Sequence, residues 1–135
     1  MKEEFTIAIA LTKNLQLPEN HFGESEKFLI YSFDRDKLHF KKSIPNQHRN
    51  DDEQEHGNAQ KGQNIARLLQ TEGVDCVVSR FFGKNIHIIS DYFLPVISPV
   101  NDIKQLVSLL EINAEKIILS TRTHKLHPSG KALKL

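Results

Sequence analysis

Ile65-Ala66-Arg67-Leu68-Leu69-Gln70-Thr71-Glu72-Gly73-Val74-Asp75-Cys76-Val77-Val78 is the stretch on which the architecture turns. Ile65, Leu68 and Leu69 fall on one face of a helix, with Ala66 beside them, so the spacing predicts an amphipathic helix over 61–72. Gly73 stands where a helix C-terminal glycine belongs. The next five residues are nearly all apolar, as in a short strand covered on both faces. A buried strand so soon after a helix is the mark of a parallel crossover.

Working back from this unit, Phe5-Thr6-Ile7-Ala8-Ile9-Ala10-Leu11 reads as another strand covered on both faces. Residues 12–24 are polar, contain Pro18 and Gly23, and read as a loop. Residues 28–33 are rich in aromatic and β-branched types and predict a second strand. Asp34-Arg35-Asp36-Lys37 reads as a tight turn into a third strand that ends before Pro45, which makes an antiparallel hairpin. Residues 45–58 are hydrophilic and without periodicity, so they read as a loop.

Working forward, residues 81–85 lead into a second helix with Ile86, Ile89 and Phe93 on its inner face. Leu94-Pro95-Val96-Ile97 is a short strand, and its proline argues for a sheet edge or a strand start. A third helix follows Pro99. Asn101 or Asp102 caps it, and Ile103, Leu106, Val107 and Leu110 form its apolar stripe. Residues 116–120 read as a short strand or a helix end. Residues 121–135 are basic, contain Pro128-Ser129-Gly130, and read as flexible or loosely docked. The expected fold is therefore α/β, three layers with a mixed five-stranded sheet. The expected division is a domain over 1–115 and a basic C-terminal extension over 116–135.

The 135 residues suffice for one domain. A net charge of +1, from 18 basic and 17 acidic residues, gives no reason to expect a nucleic acid or an anionic membrane as partner. The distribution is uneven: Asp51, Asp52, Glu53 and Glu55 cluster, and no acid follows Glu115. No apolar run approaches membrane-spanning length, and the start has acids where a signal peptide carries bases. The single cysteine, Cys76, excludes an intramolecular disulfide and a four-cysteine metal site within one chain. The expected setting is the cytoplasm.

Four features recur in a known order and spacing. The apolar strand begins almost at the N-terminus. His21-Phe22-Gly23 leads through Glu24-Ser25-Glu26-Lys27 into Phe28-Leu29-Ile30-Tyr31. The passage from Gly62 through Ile65, Leu68 and Leu69 to Glu72-Gly73-Val74-Asp75-Cys76-Val77-Val78 follows. Last comes Phe82-Gly83-Lys84-Asn85-Ile86 with the later Pro95-Val96-Ile97. Together they resemble the dinitrogenase iron–molybdenum cofactor biosynthesis family, the NifX-type carriers and the C-terminal part of NifB-type proteins, over roughly residues 5–112. The chain departs from that pattern in a longer loop around His48 and residues 51–55, in Pro18 where a glycine is common, and in the tail after Ile112. The resemblance implies a ribonuclease-H-like motif and transient binding of an iron–sulfur or iron–molybdenum-type cluster. It also implies a cofactor-assembly or acceptor protein as partner, and it leaves room for a homodimer in which a second copy completes the site.

The same resemblance makes His21 the first metal-ligand candidate, since a neutral imidazole suits iron. Phe22 and Gly23 beside it would let a bulky cluster approach. Gly83, Lys84 and Asn85 offer backbone N–H groups and one positive charge to an anionic cluster. His56 is the second metal candidate, at the end of the polar loop with His48 and the acids between, although no spacing there matches a known site and a solvated acidic loop is the better account of those residues. Cys76 reads as a buried hydrophobe rather than a thiolate ligand. His124 and His127 stand at i, i+3 spacing in the basic tail.

No nucleophile motif, Cys/His signature or phosphate-binding loop is present, so the chain reads as a carrier and not as an enzyme. A ribonuclease-H-like nuclease needs carboxylates converging on metal ions, yet residues 5–11 carry no acid and Asp75 stands alone. The alternative is a non-catalytic regulatory or protein-interaction module that keeps the fold without a cluster.

Overall fold

A computed structural model describes residues 5–19, 22–49 and 57–135. The first strand, β1 (Phe5–Leu11), sits inside the sheet. Its alternation gives each face a different side-chain size. Ile7, Ile9 and Leu11 enter one core, while Ala8 and Ala10 enter the other. The second strand, β2 (Lys27–Asp34), runs antiparallel to β1, and β3 (Lys37–Pro45) runs antiparallel to β2. The hairpin turns through Arg35 at φ 63°, the left-handed value that a two-residue turn requires. A register shift follows Ile30, where β3 carries an extra residue.

Helix α1 (Gly57–Thr71) delivers the chain to β4 (Cys76–Ser79), which pairs parallel with β1. Gly73 has φ 72°, as the helix end demands. A single 3-10 turn, Gly83–Asn85, runs into the short helix α2 (Ile86–Ser90), and β5 (Leu94–Ile97) then pairs parallel with β4. Helix α3 (Ile103–Ile112) is capped by Asp102, whose carboxylate accepts from the Gln105 N–H at 3.1 Å. Helix α4 (Ala114–Leu126) follows after Asn113, and β6 (Leu133–Lys134) closes the sheet beside β5.

The strand order is β3-β2-β1-β4-β5-β6, an α/β fold with a mixed sheet. Ala8, Ala10 and Val77 pack under Ile65, Ala66, Leu69 and Ile89 of α1 and α2. Ile7, Ile9, Cys76 and Val78 pack under Leu106, Leu110, Ala114 and Ile117 of α3 and α4. This is the three-layer arrangement that the sequence predicts, with one correction. The sheet has six strands and not five, because Leu133–Lys134 add to β5. Two residues are too few for a periodicity to register, so only the docking of the chain end makes them a strand. β6 pairs with Val96 and Ile97 alone, so Pro95, which has no N–H to give, lies beyond this outer pairing.

Residues 116–120 are the middle of α4. Its buried positions, Ala114, Ile117, Thr121 and His124, mix apolar and polar types, which hides the helical stripe from a hydrophobicity reading. Ile117 lies in the core, whereas Leu119 is 52% exposed. Ile117→Ala is therefore expected to cost about 2–4 kcal/mol in urea unfolding. Leu119→Ala is expected to stay within about 0.5 kcal/mol of the parent. Equal effects would show that α4 is not packed as described.

Candidate functional site

β1, β4, β5 and β6 all run one way, so their carboxyl ends lie along one edge of the sheet. β2 starts and β3 ends at that edge, where Leu11 pairs with Lys27 and Lys27 with Pro45. Open α/β sheets commonly bind ligands at this end. The loops that follow β1, β3, β4 and β5 all start here.

Two of the sequence-predicted motifs meet at this edge. Phe22 donates its N–H to the Phe81 carbonyl at 2.8 Å. The Phe22 and Phe82 rings stack with centroids 5.2 Å apart, and Phe28 approaches Phe22 at the same separation. Such ring pairs contribute about 0.5–1.5 kcal/mol each beyond simple burial. Phe22, Phe28 and Phe82 are all buried, so the aromatic residues of the two loops form a base rather than a solvent-facing wall. Gly83 takes φ 68° to turn the second loop outward, and Lys84 after it is exposed. The Arg80 guanidinium lies 5.4 Å from the centre of the exposed Phe81 ring.

The first loop is held from beneath by groups that the sequence reading did not single out. Asn46 is 6% exposed and donates from Nδ2 to the Gly23 carbonyl at 3.0 Å and the Ser25 carbonyl at 2.9 Å. Its Oδ1 accepts the His48 N–H at 3.1 Å. Ser25 Oγ donates to the Phe22 carbonyl at 2.9 Å. Lys61 of α1 is buried, and its ammonium meets the Glu24 carboxylate and donates to the Arg49 carbonyl at 2.8 Å. Arg49 Nε donates to the Glu24 carbonyl at 3.1 Å. One signal was present: Lys61 lies four residues before Ile65, so it falls on the apolar face of α1. A lysine there needs a partner.

Gly23 has no side chain to fill the space above Lys61. A Cβ there would meet Ile65 Cδ1 and Lys61 Cε at 3.5 Å, an ordinary contact. Neither backbone angle nor crowding therefore demands glycine at this position. On β4, Ser79 is fully buried, and its Oγ has no hydrogen-bond partner among the described residues. Alternation puts it on the α1 side, at the same edge as Phe22 and Phe82.

Other candidates are placed elsewhere. His21 and His56 lie outside the described residues, as do Asp51, Asp52, Glu53 and Glu55. Cys76 is buried in the β4 core facing α3, and burial together with the neighbouring Asp75 charge drives its thiol far above its ordinary range. His124 lies on α4, at the opposite end of the parallel strands from Phe22. Among the described residues no three His, Cys, Asp or Glu side chains group as a metal site. No helix among them is long and apolar enough to cross a membrane.

A family model described as dinitrogenase iron-molybdenum cofactor matches residues 5–87. That is more than half of the chain, and the protein belongs to this family. The matched segment takes in β1 to β4, α1 and both loops of the site. It connects the chain with iron–molybdenum cofactor biosynthesis, in a family whose members are generally carriers or scaffolds. No curated protein matches the chain.

Two outcomes follow from the geometry. Asn46→Ala leaves two carbonyls of the first loop unbonded and is expected to cost about 2–3 kcal/mol in urea unfolding, with faster amide exchange at residues 22–26. Unchanged stability and exchange would remove Asn46 as the support of the loop. Native Cys76 is expected to resist a thiol reagent and to react fully in denaturant. Its raised value also means that the folded thiol keeps a proton the unfolded one loses, so this contribution to stability holds below about pH 9 and is lost as the pH rises further. Rapid labelling of the native protein would contradict the burial.

Proposed function

We propose that this family member transiently binds an iron–sulfur or iron–molybdenum-type cluster during cofactor biosynthesis and passes it to an assembly or acceptor protein in the cytoplasm. The observation that carries the reading is the bond between the Phe22 N–H and the Phe81 carbonyl, with the Phe22–Phe82 stack beside it. It ties the segment that follows His21 in the sequence to the loop that contains Gly83, Lys84 and Asn85. In this reading His21, the residue before the anchored Phe22, supplies an imidazole to the cargo. Lys84 faces its negative charge, and the glycines at 23 and 83 leave room for its bulk.

The chain's own chemistry is that of holding rather than reacting. The one acid at the start of β4, Asp75, already receives the Thr6 N–H at 2.9 Å and the Lys125 ammonium at 2.6 Å. It lies at the other end of β4 from the two loops. β1 presents no acid at all. Both facts disfavour a nuclease built on this fold and support a non-enzymatic carrier. An ion pair to the buried Lys61, an asparagine and an aromatic base instead fix the loops in advance, which lowers the ordering cost of binding a bulky anion.

The test is anaerobic titration with a reconstituted iron–sulfur or iron–molybdenum-type cluster, read by absorption spectroscopy. The parent is expected to bind stoichiometrically. His21→Ala is expected to bind on the order of 10–100-fold more weakly with an unchanged circular dichroism spectrum. Gly23→Ala, which the fold accommodates, is expected to keep the parent's melting temperature while weakening binding. Binding retained by His21→Ala would move the ligand role elsewhere, with His56 the next candidate. Failure of every form to bind would refute the carrier reading and leave a regulatory or interaction module.

A further inference from the structure

A second cleft lies at the opposite end of the parallel strands, on a part of the chain that follows the family match. It has a volume of about 430 Å³ and opens between the last turns of α4 and the segment 129–133 that leads into β6. Its apolar floor is Leu94, Leu119 and Leu133. Its polar groups are the hydroxyls of Ser120, Thr123 and Ser129, the imidazoles of His124 and His127, and the Lys131 ammonium. None of the described residues that line it carries a carboxylate. No Asp or Glu occurs anywhere after Glu115, while five Lys and Arg residues do.

The wall of this cleft is built in an unusual way for a simple packing surface. The inner stripe of α4 changes from apolar at Ala114 and Ile117 to polar at Thr121 and His124, yet all four are buried. His124 sets its Nε2 2.6 Å from the Ser90 carbonyl. A carbonyl can only accept, so Nε2 carries a hydrogen in this bond. Ser90 also holds the other wall: its Oγ accepts the Gly130 N–H at 2.9 Å. Both sides of the cleft are thus tied to the same residue at the end of α2. Gly130 fits there because it takes φ 75° and because a Cβ would come within 3.1 Å of His87 Nδ1.

We infer that this cleft binds a small amphipathic organic anion, with a phosphate or carboxylate head on Lys131, His127 and Ser129 and an apolar body on Leu94, Leu119 and Leu133. The volume lies within the range of small-molecule sites, which are typically apolar with a few placed polar groups. The described residues that line the cleft include one cation, Lys131, and no carboxylate, so the lining itself favours an anion. The floor of leucines favours an organic body over a bare inorganic ion. The site is separate from the cluster loops, and its occupancy does not depend on a cluster being bound.

The experiment uses the ¹⁵N-labelled full chain without cluster, followed by amide spectra. The probes are phenyl phosphate, phenylacetate, inorganic phosphate and phenol. The inference expects saturable shifts at Thr123, His127, Gly130 and Lys131 with phenyl phosphate or phenylacetate, and the tighter of the two identifies the head group. Phenol and inorganic phosphate, each lacking one half of the ligand, are expected to bind more weakly. The double variant His127→Glu, Lys131→Glu changes two exposed side chains, so its fold is expected to persist by circular dichroism. Its affinity for the anions is expected to fall about tenfold or more. Shifts that do not saturate, that persist undiminished in the variant, or that fall on residues 81–87 would overturn the assignment.

Discussion

Burial of β1 on both faces is the constraint on which the rest depends. From Ile7 to Leu11 no side chain can form a hydrogen bond, and every one of them is buried. The backbone must therefore find its partners in strands on either side, and it does so in β2 and β4. The two faces must be covered as well. Alanines at 8 and 10 leave room for the ring of Phe28 and the inner residues of α1. The larger Ile7, Ile9 and Leu11 face α3 and α4. Once β1 is enclosed, its carboxyl end fixes where the first loop emerges. The Glu26 N–H returns to the Leu11 carbonyl at 3.0 Å and closes that loop beside β1.

Most of this framework was legible because periodicity reports burial directly. The crossover at residues 65–78, the hairpin about Arg35 and the stripe of α3 each follow from spacing and a few turn residues. The start of α1 was not legible. The helix begins at Gly57 rather than near residue 61, and glycine and asparagine are weak helix formers. α4 was hidden for a different reason. Thr121 satisfies its hydroxyl on the Ile117 carbonyl at 2.8 Å, and His124 bonds Ser90. Polar residues can fill an inner stripe when each finds an acceptor, and only the folded chain reveals the acceptor.

The candidate site was legible in part, and the division is physical. Phe22, Gly23, Gly83 and Lys84 stand out as local motifs. Their supports, Asn46 and Lys61, come from a loop and a helix distant in sequence and act through backbone carbonyls. A carbonyl leaves no trace in the identity of its residue, so those bonds could not be read in advance. Lys61 is the exception, since a cation on the apolar face of α1 implies a partner. Glu24 supplies it from the loop itself, which couples the position of the helix to that of the residues after His21.

The two ends of the sheet are built differently. At the carboxyl ends of the parallel strands, short loops are cross-braced through aromatic rings and backbone bonds. At the other end, the Asp75 carboxylate accepts from the Thr6 N–H and pairs with the Lys125 ammonium. The second of these bonds links the start of β4 to α4. The helix is then free to present Thr123, His124 and His127 beside the final strand. α2 spans the space between the two ends, starting at the Gly83 turn and finishing at Ser90. Its five residues are too few to be stable alone. They are held by Ile89 in the core and by the bonds that Ser90 makes to α4 and to Gly130. The C-terminal segment thus contributes to the placement of α2, and through α2 to the loop that carries Gly83 and Lys84.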